Sequence, residues 1–153
     1  MPQTILGWRE WISLPTLGIS GLKAKIDTGA RSSSLHALDI KAIEVNGEHW
    51  VEFKVNPQQH ETTELIHCRA PVKDYRQVTD SGGHRSMRYV IETHICIGSD
   101  KFLAEMTLAD RSQMLFRMLL GRTAMKNRYT VDPSRSYCAS QKPAKPPSQI
   151  IPS

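Results

Sequence analysis

Apolar residues recur at every second position through most of this chain, the spacing of half-buried strands. Leu22, Ala24 and Ile26 alternate with Lys23 and Lys25 and run into a turn at Asp27-Thr28-Gly29. From Leu38 to Val45 the alternation changes register, Leu38, Ile40 and Ala42 giving way to Ile43 and Val45, and the slip predicts a bulge. Asn46-Gly47 follows, and then Val51, Phe53 and Val55 share a face; Asn-Gly between two alternating runs predicts a hairpin. The polar stretch from Pro57 to Thr63 reads as a loop, Glu64–Cys68 and Arg76–Val78 as strands, and Asp80–His84 as a second turn. Arg88–Leu108 reads as two strands joined at Gly98-Ser99-Asp100. The apolar run Gln113–Leu120 ends at Gly121, and it predicts a buried segment. Arg122–Arg128 is the one short helix expected after it, before a last strand at Tyr129. Short strands between regular turns predict a small all-β domain, closed or sandwiched.

Bulk properties narrow this picture. At 153 residues, with 39% hydrophobic and 23% charged positions, the chain suffices for one domain with a core. No run of about 18 apolar residues exists, so no membrane span is expected, and the N-terminus lacks the features of a secretory leader. Three cysteines, Cys68, Cys96 and Cys138, suit a reducing compartment, and the expectation is cytoplasmic. Residues 139–153 are rich in Pro, Ser and Lys and read as a disordered tail behind a domain of residues 1–138. Net charge is +5, of which Lys142 and Lys145 in the tail supply two, so the domain is only mildly basic. Trp8, Trp11 and Trp50 read as core or dimer contacts.

Chemistry enters at Asp27-Thr28-Gly29-Ala30-Arg31, where a strand delivers a carboxylate to a glycine-bearing loop. Alone, this is either a turn with a solvated Asp or a catalytic carboxylate in a fixed loop. Far downstream, Met118-Leu119-Leu120-Gly121-Arg122 forms a second strand that ends in glycine. This pairing resembles the retropepsin-like aspartic peptidases. The segments GWREWISLPTLGISGLKAKIDTGARSSSLHA, APVKDYRQVTDSGGH and FRMLLGRTAM are similar, more closely, to the family labelled putative ATP-dependent zinc proteases. That resemblance runs from about Gly7 to Tyr137. It implies a closed β-barrel of the acid-protease type with one short C-terminal helix.

The residues do not support the two cofactors in that label. No Gly-x-x-x-x-Gly-Lys-Ser/Thr cradle for ATP is present. The six histidines form no His-Glu-x-x-His and the cysteines no Cys-x-x-Cys, so neither a metal site nor any other cofactor is expected. The resemblance implies instead that two carboxylates share one proton and activate water between them. With one Asp-Thr-Gly per chain, the second must come from another copy, so a homodimer is expected. By the same resemblance Asp27, Thr28 and Gly29 are the catalytic loop, Thr28 bonding across the dimer axis and Gly29 offering its N–H to the carboxylate. Ala30, Arg31, Gly82, Gly83, His84 and Arg122 would bind substrate, with Gly82-Gly83 at the tip of a flap.

The sequence departs from this pattern at one point. Retropepsins commonly carry an acid where Arg31 stands, paired with the Arg after the late glycine. Here Arg31 and Arg122 cannot pair, so either another acid (Asp39, Glu105 or Asp110) lies between them or the local geometry differs. Arg31 and the basic flap suggest a peptide substrate with acidic residues. The stretch from Asn46 to Thr63 reads as an extra hairpin that covers or restricts the cleft. Two rival readings are a non-catalytic dimeric peptide- or protein-binding module on this barrel, and a basic barrel for single-stranded nucleic acid. The latter needs clustered aromatic platforms, and aromatics are a scattered 7%, so no nucleic acid is expected.

Overall fold

The computed structural model describes residues 4–57, 65–79, 82–110 and 116–142. Its strands are β1 (Thr4–Leu6), β2 (Arg9–Leu14), β3 (Ile19–Ile26), β4 (Ser34–His36), β5 (Leu38–Val45) and β6 (Glu48–Val55). They continue with β7 (Ile66–Pro71), β8 (Asp74–Thr79), β9 (Arg85–Ile97), β10 (Asp100–Ala109), β11 (Met118–Leu120) and β12 (Tyr129–Val131). The one helix, α1 (Arg122–Met125), follows β11.

Six strands close into a barrel, in the order β10-β4-β11-β3-β2-β9 and back to β10. The all-β barrel read from the sequence is therefore the fold. Alternation explains the closure. In β3, Leu22, Ala24 and Ile26 point inward, and in β9 Ile91, Ile95 and Ile97 do the same. Met106, Leu108, Met118 and Leu120 meet them from the other side of the ring. Burying each of these larger side chains contributes about 1.5–3 kcal/mol.

The second sheet is an antiparallel layer of β5, β6 and β7, seated on the barrel through Val51, Phe53 and Val55. Its hairpin turns at Asn46 and Gly47 with φ of 51° and 82°, the left-handed pair that a two-residue turn requires. The bulge lies between Leu38 and Lys41, where Asp39 takes φ 51°.

The N-terminal strands bind the end of the described chain. β1 runs parallel to β12, and the segment after β12 lies along β2 as a strap. Glu10 lies at 0% exposure and fastens that strap. It accepts the N–H groups of Gly7 (2.6 Å), Cys138 (2.8 Å) and Ala139 (3.2 Å) and the hydroxyl of Ser140. Arg9 lies over the rings of Trp8 and Tyr137, 4.6 and 5.0 Å from their centroids, and Trp11 stacks on Tyr137. Trp8 and Trp11 thus hold the strap. Of the segment read as a tail, Ala139 and Ser140 are seated on the barrel, whereas residues 143–153 lie outside the described residues. So do residues 58–64, most of the loop read at Pro57–Thr63.

No helix among the described residues is long and apolar enough to cross a membrane.

Candidate active site

Asp27 stands where β3 leaves the barrel, half-buried, on a loop that crosses over the end of β11. β11 lies between β3 and β4, the two strands this loop connects. The loop is therefore clamped from beneath. Asp27 donates its N–H to the Leu120 carbonyl at 2.9 Å, and Ala30 and Arg31 offer their carbonyls to the N–H groups of Arg122 (2.8 Å) and Thr123 (3.0 Å). The Ser33 hydroxyl accepts the Gly121 N–H at 3.0 Å.

Gly121 permits this contact. A Cβ there would fall 2.5 Å from the Ser32 carbonyl carbon and oxygen, which are backbone and cannot swing aside. Gly121→Ala is expected to lift the loop and cost about 1–3 kcal/mol. Urea unfolding would register the loss, and a variant as stable as the parent would refute the clamp.

Within the loop, the Gly29 N–H donates to Oδ1 of Asp27 at 2.9 Å, which fixes the carboxylate's orientation. Thr28 and Gly29 are exposed at the loop's tip, on the face a second copy would have to approach. Arg122 spans the loop from α1, its Nη1 donating to the carbonyls of Thr28 (3.1 Å) and Gly29 (3.0 Å). The departure noted at Arg31 and Arg122 is thus resolved by local geometry. Arg122 is exposed and bonds carbonyl oxygens, and among the described residues no acid pairs with it. Asp39 pairs with Lys54 at 3.1 Å, and Glu105 pairs with Lys73 and Arg76 at 3.3 and 3.2 Å. Arg31 is exposed, and its guanidinium has no partner among the described residues.

A groove of about 600 Å³ opens beside Asp27, between its loop and the β8–β9 arm. The loop contributes Asp27, Gly29, Ala30, Arg31 and Ser32, β4 contributes Ser34, and the arm contributes Arg76–Thr79 and Arg88. The base of the arm is set by charge. Lys73 reaches Glu92 at 2.7 Å, and Arg76 joins Asp74 (2.8 Å) to Glu105. Burial works against ionisation of Glu105, but hydrogen bonds from Lys73 and Arg76 hold its carboxyl below the usual range. The Tyr75 N–H and then Arg76 lower that of Asp74.

The structure does not bring every expected binding residue to this groove. Gly82, Gly83 and His84 lie exposed at the far end of the arm and are absent from the groove's lining. Gly83 takes φ 82°, which the hairpin tip requires. Asp80 and Ser81 of that turn lie outside the described residues. The described part of the extra hairpin, β5 to β7, contributes nothing to the groove either, so the expected covering is not seen there. Sequence reading missed Ser34 and Thr107, which line the groove's floor. Thr107 falls in a run that reads as ordinary strand, the short β4 that carries Ser34 was not expected at all, and only the barrel's closure sets the two beside Asp27. His36 is buried at 2% exposure, and burial followed by the charge of Arg117 lowers its pKa. Among the described residues no three His, Cys, Asp or Glu side chains converge as metal ligands would.

Comparison with known proteins gives the site a context. The profile of a family described as retropepsin-like aspartic endopeptidase RimB matches residues 5–142. A Shewanella pealeana protein named probable alpha-L-glutamate ligase is 42% identical over 138 residues, which are 90% of this chain and 30% of that protein. A Parasynechococcus marenigrum protein of the same name is 41% identical over 133 residues, 87% of this chain and 28% of its own. The chain thus spans about three-tenths of these curated relatives. Among solved structures, a Legionella pneumophila protein of unknown function superposes with a TM-score of 0.73 at 28% identity, over 89% of this chain and 98% of the other.

Proposed function

Because this chain belongs to the RimB-like family of retropepsin-like aspartic endopeptidases, we propose that it hydrolyses peptide bonds with a water held between two Asp27 carboxyls, one from each copy of a homodimer. The observation that carries this reading is the Asp27 loop. One carboxylate per chain is fixed by Gly29, clamped over β11 and set at the mouth of a peptide-sized groove. Two carboxyls brought within about 3 Å cannot both ionise, so the pair holds a single proton. The ionised member takes a proton from water as the water oxygen bonds to the scissile carbonyl carbon. The protonated member gives its proton to the carbonyl oxygen. Collapse of that tetrahedral species breaks the C–N bond as nitrogen takes up a proton. The apparent pKa values of such a dyad belong to the pair.

The substrate proposed is an acidic peptide. Arg31 and Arg122 face the groove without a carboxylate partner among the described residues. Relatives named as glutamate ligases suggest peptides bearing added glutamate. The test combines dilution with assay. Cleavage of a glutamate-rich peptide should fall, per subunit, in step with dissociation measured by sedimentation. A monomer that retains full activity overturns the shared site. The chain's free cysteines, Cys68, Cys96 and Cys138, suit a reducing, cytoplasmic place of action.

A further inference from the structure

The floor of the groove holds a polar atom with nothing to bond. Ser34 lies in β4 with Thr107 of β10 and Leu119 of β11 as its Cα partners on either side, and all three line the groove that contains Asp27. Ser34 is only 7% exposed, yet its hydroxyl has no hydrogen-bond partner among the described residues. The neighbouring hydroxyls are occupied: Ser33 accepts the Gly121 N–H, and Thr107 donates to the Ser33 carbonyl. A hydroxyl deprived of both water and a protein partner is destabilising, and such exceptions mark places where a ligand completes the bonding.

The charge of the groove indicates which ligand. Arg76 is taken up by Asp74 and Glu105. Arg122 is turned onto the loop carbonyls. Arg31 is left with an uncommitted guanidinium beside a buried hydroxyl donor in one groove. A guanidinium and a hydroxyl together satisfy a carboxylate, which accepts at both oxygens and has no proton to give. A main-chain amide or a neutral amide side chain offers one uncharged carbonyl oxygen, a weaker match than a carboxylate to a guanidinium and a hydroxyl together.

We propose that Ser34 is a specificity-determining residue that donates its hydroxyl proton to a substrate carboxylate while Arg31 pairs with the same group from the groove's rim. The carboxylate is a Glu or Asp side chain, or the peptide's own C-terminus. This inference rests on the groove being the peptide site and refines what that site selects.

Equilibrium binding to the full chain carrying Asp27→Asn tests it without turnover. Three probes suffice: an acetylated, amidated hexapeptide of glutamate, the same peptide with glutamine throughout, and the glutamine peptide with a free C-terminus. The glutamate peptide is expected to bind about tenfold or more tighter than its amidated glutamine counterpart. Ser34→Ala should remove most of that margin and leave the affinity for the glutamine peptide unchanged, while Ser34→Thr keeps it. Arg31→Gln, at an exposed position, should remove the margin as well, and it serves if Ser34→Ala folds poorly. A margin regained by the free C-terminus assigns the subsite to a terminal carboxylate; a margin confined to glutamate assigns it to a side chain. Equal weakening of both amidated peptides by Ser34→Ala, an unchanged margin, or no binding of any probe overturns the proposal. Cleavage assayed with Asp27 intact separates the two readings. A chain that binds with this pattern and cuts nothing sinks the peptidase and leaves the subsite. One that cuts glutamate and glutamine peptides equally does the reverse.

Discussion

Asp27→Asn should abolish peptide hydrolysis, by about a thousandfold or more, while the barrel melts at the parent's temperature. The size follows from what the substitution removes. Asn matches the shape of Asp, and its oxygen can still accept the Gly29 N–H that now reaches Oδ1 at 2.9 Å. It cannot take a proton from water, and proton transfer by a positioned group accounts for about 10²–10⁴ in rate. Little stability is at stake, because Asp27 is half-buried and its other bond is a main-chain one, N–H to the Leu120 carbonyl. Thermal unfolding beside initial rates on an acidic peptide gives the answer. A variant that cuts at more than a few per cent of the parent's rate would move the chemistry away from Asp27. So would loss of rate that merely tracks loss of fold.

The largest effect on stability is expected at Glu10, in the strand beside β3, opposite Ala24. Glu10→Ala should cost about 3–5 kcal/mol, the range for removing one member of a buried charged network. Four donors converge on that carboxylate, from Gly7, Cys138, Ala139 and Ser140, at a position with 0% exposure. Alanine leaves three backbone N–H groups and a hydroxyl in a site that water does not reach. Against a total stability of about 5–15 kcal/mol this is a large fraction, and Tm should fall by roughly 10 °C. Glu10→Gln is the sharper control. It keeps the volume and one acceptor but turns an NH₂ toward donors, so it should recover only part of the loss. Calorimetry of both variants settles the matter, and a glutamine variant as stable as the parent would show that the carboxylate is dispensable.

The sequence carried the local parts of this fold well. Asn46-Gly47 demanded a left-handed pair, and it forms one. The slip announced a bulge in β5, although the bulge lies at Leu38–Lys41 and the pairing runs unbroken through Ala42 and Ile43, where the alternation changes. Gly121 after two leucines marked the strand end that the Asp loop crosses. What the sequence withheld was long-range. Ser34 stands in a serine run that predicts no strand, and nothing within it says that Thr107 and Leu119 flank it. Glu10 looks like a surface acid between Arg9 and Trp11, since three of its four donors are supplied by residues that only folding brings near. The arm was legible as a hairpin, but which of its residues face Asp27 depends on how β9 bends out of the barrel. The glycines at its tip attracted attention, and Arg76 and Arg88, nearer its base, line the groove.

The Glu10 fastening also bears on how the chain reaches its native state. Its partners at Cys138, Ala139 and Ser140 are 128 to 130 positions away, and Gly121 reaches Ser33 across 88. Neither contact can form while the ribosome still holds the last strand, so β2 and β3 emerge with their apolar faces exposed and wait. Closure of so non-local a ring belongs to the slow class of two-state reactions, milliseconds to seconds, where synthesis at about 5–20 residues per second sets the pace of what can pair. The clamp that sets Asp27 over β11 needs Gly121 to reach Ser33, so it belongs to the late part of that closure.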